Sequence, residues 1–321
     1  MKKSYVISII CIMLVLVIAL SGCKKKNDDT GKPGKDPIQS IDEQGEDKVD
    51  VEKVMKEFDK MIKNKDEPNK IVAFINENIK NLSQIEGDRM VLDLEIILED
   101  STSSLTDKLF EIDTKGELMT IGGTELFFPE GKVKDIQDEK LRDHVTKLLA
   151  SNYKLINLEG SFYPIRDYEK MKQYNNYISD EIKDYIAIKA LDSDKPVAID
   201  AGLVISYDEL ADRILKTENY IQKYSEGKKY EEMLRSYRTK LDIYLNGLDN
   251  TPIADYESKK IYKDVVDSYE KTINTKDSVT AFVVSKYLDV IEENKYIIDK
   301  SVTDNVLSLV NEALSLLEAS K

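Results

Sequence analysis

Residues 206–245 read SYDELADRILKTENYIQKYSEGKKYEEMLRSYRTKLDIYL, and the periodicity of this stretch decides the fold class. Ser206 followed three residues later by Glu209 is a capping-box signature, in which a short hydroxyl side chain accepts from a free backbone N–H at a helix start. Behind it Tyr207, Leu210, Ala211, Ile214, Ile221 and Tyr224 recur at the spacing that places them on one stripe of a helix. Gly227 marks a turn. Tyr230, Met233, Leu234, Tyr237, Leu241, Tyr244 and Leu245 then draw a second stripe. Two amphipathic helices joined by a short turn bury their stripes by folding back on each other, which is an αα-hairpin. A mainly α fold follows, as a solenoid or a closed bundle.

The same period extends in both directions. Downstream of a loop at 247–256, Ile261, Tyr262, Val265, Val266, Tyr269 and Ile273 predict one helix, and Val279, Phe282, Val283, Tyr287, Val290 and Ile291 its partner. A last helix is predicted from about Val302 to Ala319. Upstream, Val51, Val54, Met55 and Phe58 predict a helix, as do Ile71, Phe74, Ile75 and Ile79 after Pro68. A third runs from Asp88 to Glu99, with a break predicted at Ser101 to Ser104. Residues 116–131 read as a glycine-punctuated loop that carries Phe127 and Phe128 and sets a candidate internal boundary near 116–135. Another helix covers Asp138 to Ala150. The one β signal is residues 153–158 and 161–166 around Glu159-Gly160, a hairpin whose second strand carries Pro164 and therefore belongs at an edge. Asp167 and Ser179 are placed to cap two further helices, and 197–205 is an apolar connector.

The pairs at Thr217 to Tyr237 and Ser268 to Leu288 resemble degenerate tetratricopeptide-like hairpins, although the repeat interval of about 50 residues exceeds that family's and its Gly and Ala packing positions are not filled. The resemblance implies architecture and no ligand. The segment with Glu159-Gly160-Ser161-Phe162-Tyr163-Pro164-Ile165, Asp167-Tyr168 and Gly247-Leu248-Asp249-Asn250-Thr251-Pro252 is similar to a group of uncharacterised exported proteins of Gram-positive bacteria, which implies export and no activity.

The start of the chain has its own grammar. Lys2 and Lys3 precede an apolar run from Tyr5 to Leu20, and Leu20-Ser21-Gly22-Cys23 follows before Lys24, Lys25 and Lys26. A basic start, an apolar middle and small residues at the end are the parts of an export signal. This tetrapeptide resembles the lipobox of bacterial lipoproteins. That resemblance implies recognition of Leu20, Ser21 and Gly22 by the signal peptidase, removal of residues 1–22, and a diacylglyceryl thioether on Cys23 that tracks with palmitate labelling. The apolar run of 16 residues falls short of the roughly 20 a spanning helix needs. The expected location is the cell membrane, lipid-anchored and facing outside the cytoplasm. Residues 23–49, rich in charge, Gly and Pro, read as a flexible tether with an r.m.s. reach of about 25–30 Å, and residues 50–321 as the extracytoplasmic domain.

Charge and composition narrow the function. Residues beyond Lys26 hold 42 basic and 61 acidic groups, a formal balance of −19. Such a surface repels phosphate backbones, so nucleic acid is not an expected partner. With Cys11 in the leader and Cys23 lipidated, no thiol is left for a disulfide or a nucleophile. His144 is the single histidine, too few for an imidazole metal cluster, and no Gly-x-Ser-x-Gly elbow accompanies it. Asp192-Ser193-Asp194 opens like a calcium loop, but Val197 and Leu203 stand where glycine and glutamate belong. No cofactor and no catalytic residue is expected. The 18 tyrosines have helix-packing spacing, and Tyr207, Tyr224, Tyr237 and Tyr244 are the candidates for lining a groove between hairpins.

These features favour a non-catalytic module that binds a protein or peptide, with an exported basic partner as the expected ligand. The alternative is a wall-active enzyme using paired carboxylates. A transporter's solute-binding lipoprotein ranks below both, because alternating strand and helix units are missing.

Overall fold

The side chain of Asp50 accepts a hydrogen bond from the Lys53 N–H at 3.0 Å, capping α1 (Val51–Asn64). The helix stops where Lys65 turns left-handed at φ 54° and the backbone closes onto Met61 and Ile62. Pro68 then opens α2 (Pro68–Asn78), the position where its missing N–H costs nothing. The computed structural model describes residues 50–319, all of them within one compact unit. The stretch 116–135 is built into that unit and does not divide it.

The N-terminal part is organised on α3 (Gln84–Ile112), which opens with a complete capping box between Ser83 and Glu86. Against expectation α3 runs unbroken through Ser101 to Ser104. Thr102 Oγ1 donates to the Leu98 carbonyl at 2.7 Å and Thr106 Oγ1 to that of Thr102 at 2.8 Å, so these hydroxyls satisfy themselves within the helix. Helices α1, α2 and α5 (Glu139–Ala150) pack along it. The stretch read as a loop contains α4 (Glu117–Gly122) and a 3-10 turn at Glu130–Asp135.

The predicted hairpin is present: β1 (Tyr153–Leu158) pairs antiparallel with β2 (Ser161–Arg166), from Tyr153 opposite Arg166 to Leu158 opposite Ser161. Glu159 and Gly160 both take positive φ, the geometry of a tight two-residue turn. Pro164 does lie on the outer strand. The far edge of β1 is met by residues 126–128, where Phe128 N–H donates to the Leu155 carbonyl and Phe127 bridges Ile156.

Asp167 caps α6 (Tyr168–Met171), which continues as a 3-10 turn at Lys172–Tyr177 before α7 (Asp180–Asp194). Ser179 does not cap α7 with its side chain; its backbone N–H donates to Asp88 at 2.7 Å. The apolar connector forms a minimal ladder, β3 (Ala198–Ile199) with β4 (Gly202–Leu203). Ser206 caps α8 (Tyr207–Lys223) through the Glu209 N–H, but the box is only half made, because the Glu209 carboxylate turns to Lys195 and Arg213. After Gly227 comes α9 (Tyr230–Asn246), then β5 (Gly247–Leu248) paired with β6 (Thr251–Pro252). The chain ends with α10 (Lys263–Thr272), α11 (Val279–Glu293), α12 (Lys300–Thr303) and α13 (Val306–Ala319).

The C-terminal helices close on themselves. Helix α8 packs on α9, α7, α10 and α11, and α13 returns to α9 and α11. This is a bundle, and the concave face that stacked hairpins would leave is filled.

Candidate functional site

The lipidation residue Cys23 and its neighbours Leu20, Ser21 and Gly22 lie outside the described residues. The tyrosine candidates are inside, and three of them are core. Tyr237 and Tyr244 are fully buried and Tyr207 is 7% exposed. Their rings join a contact chain, Tyr207 to Tyr244 to Tyr269 to Tyr287, with centroids 6.1, 4.9 and 6.1 Å apart. The phenol oxygens of Tyr237 and Tyr244 are committed within the bundle as well. Tyr244 meets Ser268 at 2.7 Å and Thr272 at 2.9 Å, and Tyr237 meets Thr280 at 2.9 Å. Tyr224 alone is partly accessible, its hydroxyl donating to Asp184 at 2.7 Å. The groove lined by Tyr207, Tyr237 and Tyr244 is therefore not formed. Helices α10 and α11 close over the faces that carry them, Ser268, Tyr269 and Thr272 of α10 against Tyr244 and Thr280 of α11 against Tyr237, and each ring buries more apolar area there than a surface groove would.

His144 on α5 is 6% exposed and its Nε2 lies 3.1 Å from the Leu105 carbonyl of α3. A carbonyl only accepts, so Nε2 carries the proton. Burial lowers the imidazole pKa, and Lys108 and Lys147 push the same way against the Leu105 bond. The ring is a neutral brace between two helices on the wall of a 590 Å³ cleft.

Charged groups meet in two seams. In the first, Glu95 on α3 accepts from Tyr168 and Tyr185 and pairs with Lys229 at 2.5 Å. Lys229 also reaches Glu232 at 3.0 Å; Glu232 lies 2.8 Å from the Tyr185 hydroxyl, whose single proton it shares with Glu95, and accepts from Lys189 at 3.0 Å. Burial works to raise the Glu232 pKa, but Lys189, the Tyr185 hydroxyl and Lys229 outweigh it and carry it down to about 2. Burial raises the pKa of both phenols. Glu232 is held ionised as an acceptor, and the seam ties α3, α7 and α9 together.

The second seam lies where α7 faces α9. Arg213 on α8 is 3% exposed and Lys240 on α9 is 4% exposed. Arg213 Nη1 donates to Asp192 Oδ1 at 3.0 Å and Lys240 Nζ to Asp192 Oδ2 at 2.7 Å, so one carboxylate serves two buried cations. Burial lowers the Lys240 pKa, with Lys189 and Arg213 adding to the effect against Asp192. Above this seam runs an open groove of about 520 Å³, between α7, the connector at 196–198 and one face of α9. Arg235, Thr239 and Ile243 stand on that face at four-residue intervals, with Ser236 and Lys240 beside them. The α9 core stripe was legible in the sequence. This second face was not, because a buried lysine reads as an ordinary surface residue. Its one trace in the sequence is the pair of four-residue intervals on the side away from the tyrosines.

Among the described residues no group of three or more His, Cys, Asp and Glu is placed to hold a metal ion, and no helix is long and apolar enough to cross a membrane. Family models, curated proteins and solved structures were compared with the chain, and none matches it.

Proposed function

We propose that this chain is a lipid-anchored extracytoplasmic lipoprotein whose helical body binds an exported protein or peptide without turning it over. The observation that carries the anchoring is Leu20-Ser21-Gly22-Cys23 at the end of an apolar run too short to span a bilayer. The binding reading is supported by how the body uses its reactive groups. The imidazole is neutral and braced on a carbonyl, and the buried acids Glu95 and Glu218 are spent on hydroxyls, a lysine and backbone N–H groups. A formal balance of −19 beyond Lys26 favours partners with a basic patch, whose encounter rate falls with salt.

Two experiments test this. Radiolabelled palmitate should enter the wild-type protein and move it into the detergent phase, whereas Cys23→Ala should take up no label; equal labelling of both ends the anchor assignment. Crosslinking on intact cells followed by mass spectrometry should capture a partner through the helical body, and the complex should weaken as ionic strength rises. Crosslinks confined to residues 23–49, or capture indifferent to salt, would remove the acidic body as the binding surface.

A further inference from the structure

The groove between α7 and α9 has an excess of hydrogen-bond donors. Arg235 is exposed, and no acid pairs with its guanidinium among the described residues. Ser236 Oγ accepts from Lys240 at 2.9 Å, which leaves its own proton without an acceptor there. Lys240 spends two of its three ammonium protons on Asp192 and Ser236. Beneath them Arg213 Nε is buried with no acceptor among the described residues. The acids that face the groove, Asp192 and Glu232, are already engaged, the first by Arg213 and Lys240 and the second by Lys189 and Lys229. In a chain whose body is strongly acidic, this is a place where positive charge and unused donors exceed acceptors.

We infer that this groove is a carboxylate-binding site, taking a small organic acid or a peptide C-terminus with an apolar end residue. A carboxylate is acceptor-only and pairs with a guanidinium fork through two parallel bonds. Arg235 and the Ser236 hydroxyl, adjacent at the groove edge, supply the donors, and Lys240 the fixed charge behind them. A monoanion suits the site better than a phosphate, because Asp192 and Glu232 flank it and repel a second negative charge. The opposite wall, Pro196, Val197 and Ala198, is apolar, and with Ile243 farther along α9 it accounts for the hydrocarbon part of the ligand. The volume of about 520 Å³ lies within the range of small-molecule sites. The inference goes beyond the binding role proposed above and does not depend on which partner the cell surface supplies.

The test is isothermal titration of the full chain in detergent with N-acetyl-leucine, with its uncharged amide, and with inorganic phosphate. N-acetyl-leucine should bind saturably and the amide should not. Arg235→Gln should weaken the acid about tenfold, the loss expected for one charge-assisted contact at an open site, and Ser236→Ala should weaken it less. Arg235 is exposed and unpaired, so its variant should keep the wild-type circular dichroism and melting temperature. The inference is overturned if the acid gives no saturable heat, if the amide binds equally well, or if Arg235→Gln leaves the affinity unchanged. Phosphate binding as tightly as the acid overturns the carboxylate assignment. Because the titration uses defined probes, its failure is separable from failure of the cell-surface crosslinking.

Discussion

Gly87 shows how one residue can be required by a neighbour far away in sequence. It lies inside α3, where alanine would normally be better by about 1 kcal/mol. A Cβ added there would sit 2.2 Å from the Tyr177 carbonyl oxygen, so α3 and the 3-10 turn at Lys172–Tyr177 approach each other only because that atom is missing. Gly87→Ala should therefore destabilise the protein by about 1–3 kcal/mol, the usual cost of overpacking. The denaturant midpoint measures it, and an unchanged or raised midpoint would show that the contact relaxes freely. His144 is similar in kind. The Leu105 carbonyl that fixes its tautomer is 39 residues away and left no mark on the local sequence.

At the scale of elements, caps are supplied by other helices as well as by sequence neighbours. Ser278 caps α11 in the ordinary way, through the Ala281 N–H at 3.1 Å. The same helix start is also held by Glu218 of α8, whose carboxylate accepts from the Val279 N–H at 2.7 Å and the Thr280 N–H at 2.9 Å. A buried anion at a helix N-terminus satisfies free donors and opposes the positive end of the helix dipole. Glu218→Ala should cost about 3 kcal/mol, since it strands several buried donors at once, and Glu218→Gln should recover part of that by keeping one acceptor. Thermal unfolding of the two variants separates them; equal melting temperatures would mean that water replaces the carboxylate.

Across the whole molecule, charge sets the response to acid. Glu232 titrates at about 2 in the folded state against an ordinary 4.5, so its contribution is complete above pH 4.5 and is lost as pH falls toward 2. His144 has a folded pKa below its ordinary 6.5, so its neutral form favours the fold above that value and protonation works against it as pH falls. Asp93 and Asp113, whose pKa values burial raises above the ordinary 3.8, act in the opposite sense, because protonation relieves them as pH falls through their raised values toward 3.8. Stability followed by denaturant midpoint should start to decline below pH 6.5 and fall further between 4.5 and 2. Glu232→Gln should flatten the lower limb. Parallel curves for variant and wild type would show that the α3–α7–α9 seam is not what titrates.

The helical class, the hairpin at 153–166 and most helix starts follow from the sequence by itself. They depend on local chemistry: the period of apolar residues, a short oxygen-bearing side chain before a helix, and a glycine at a turn. The tertiary structure alone decided that the hairpins close into a bundle, that Tyr207, Tyr237 and Tyr244 are core rather than surface, and that Lys240 and Arg213 share Asp192 beneath a groove. An amphipathic stripe specifies that a face is buried and says nothing of how many neighbours bury it. Packing of α10 and α11 against α8 and α9 supplies the second neighbour and turns a candidate groove into packed interior. The α7–α9 seam is built from residues at 189–198, 213 and 232–243, and only the folded chain brings those charges within bonding distance.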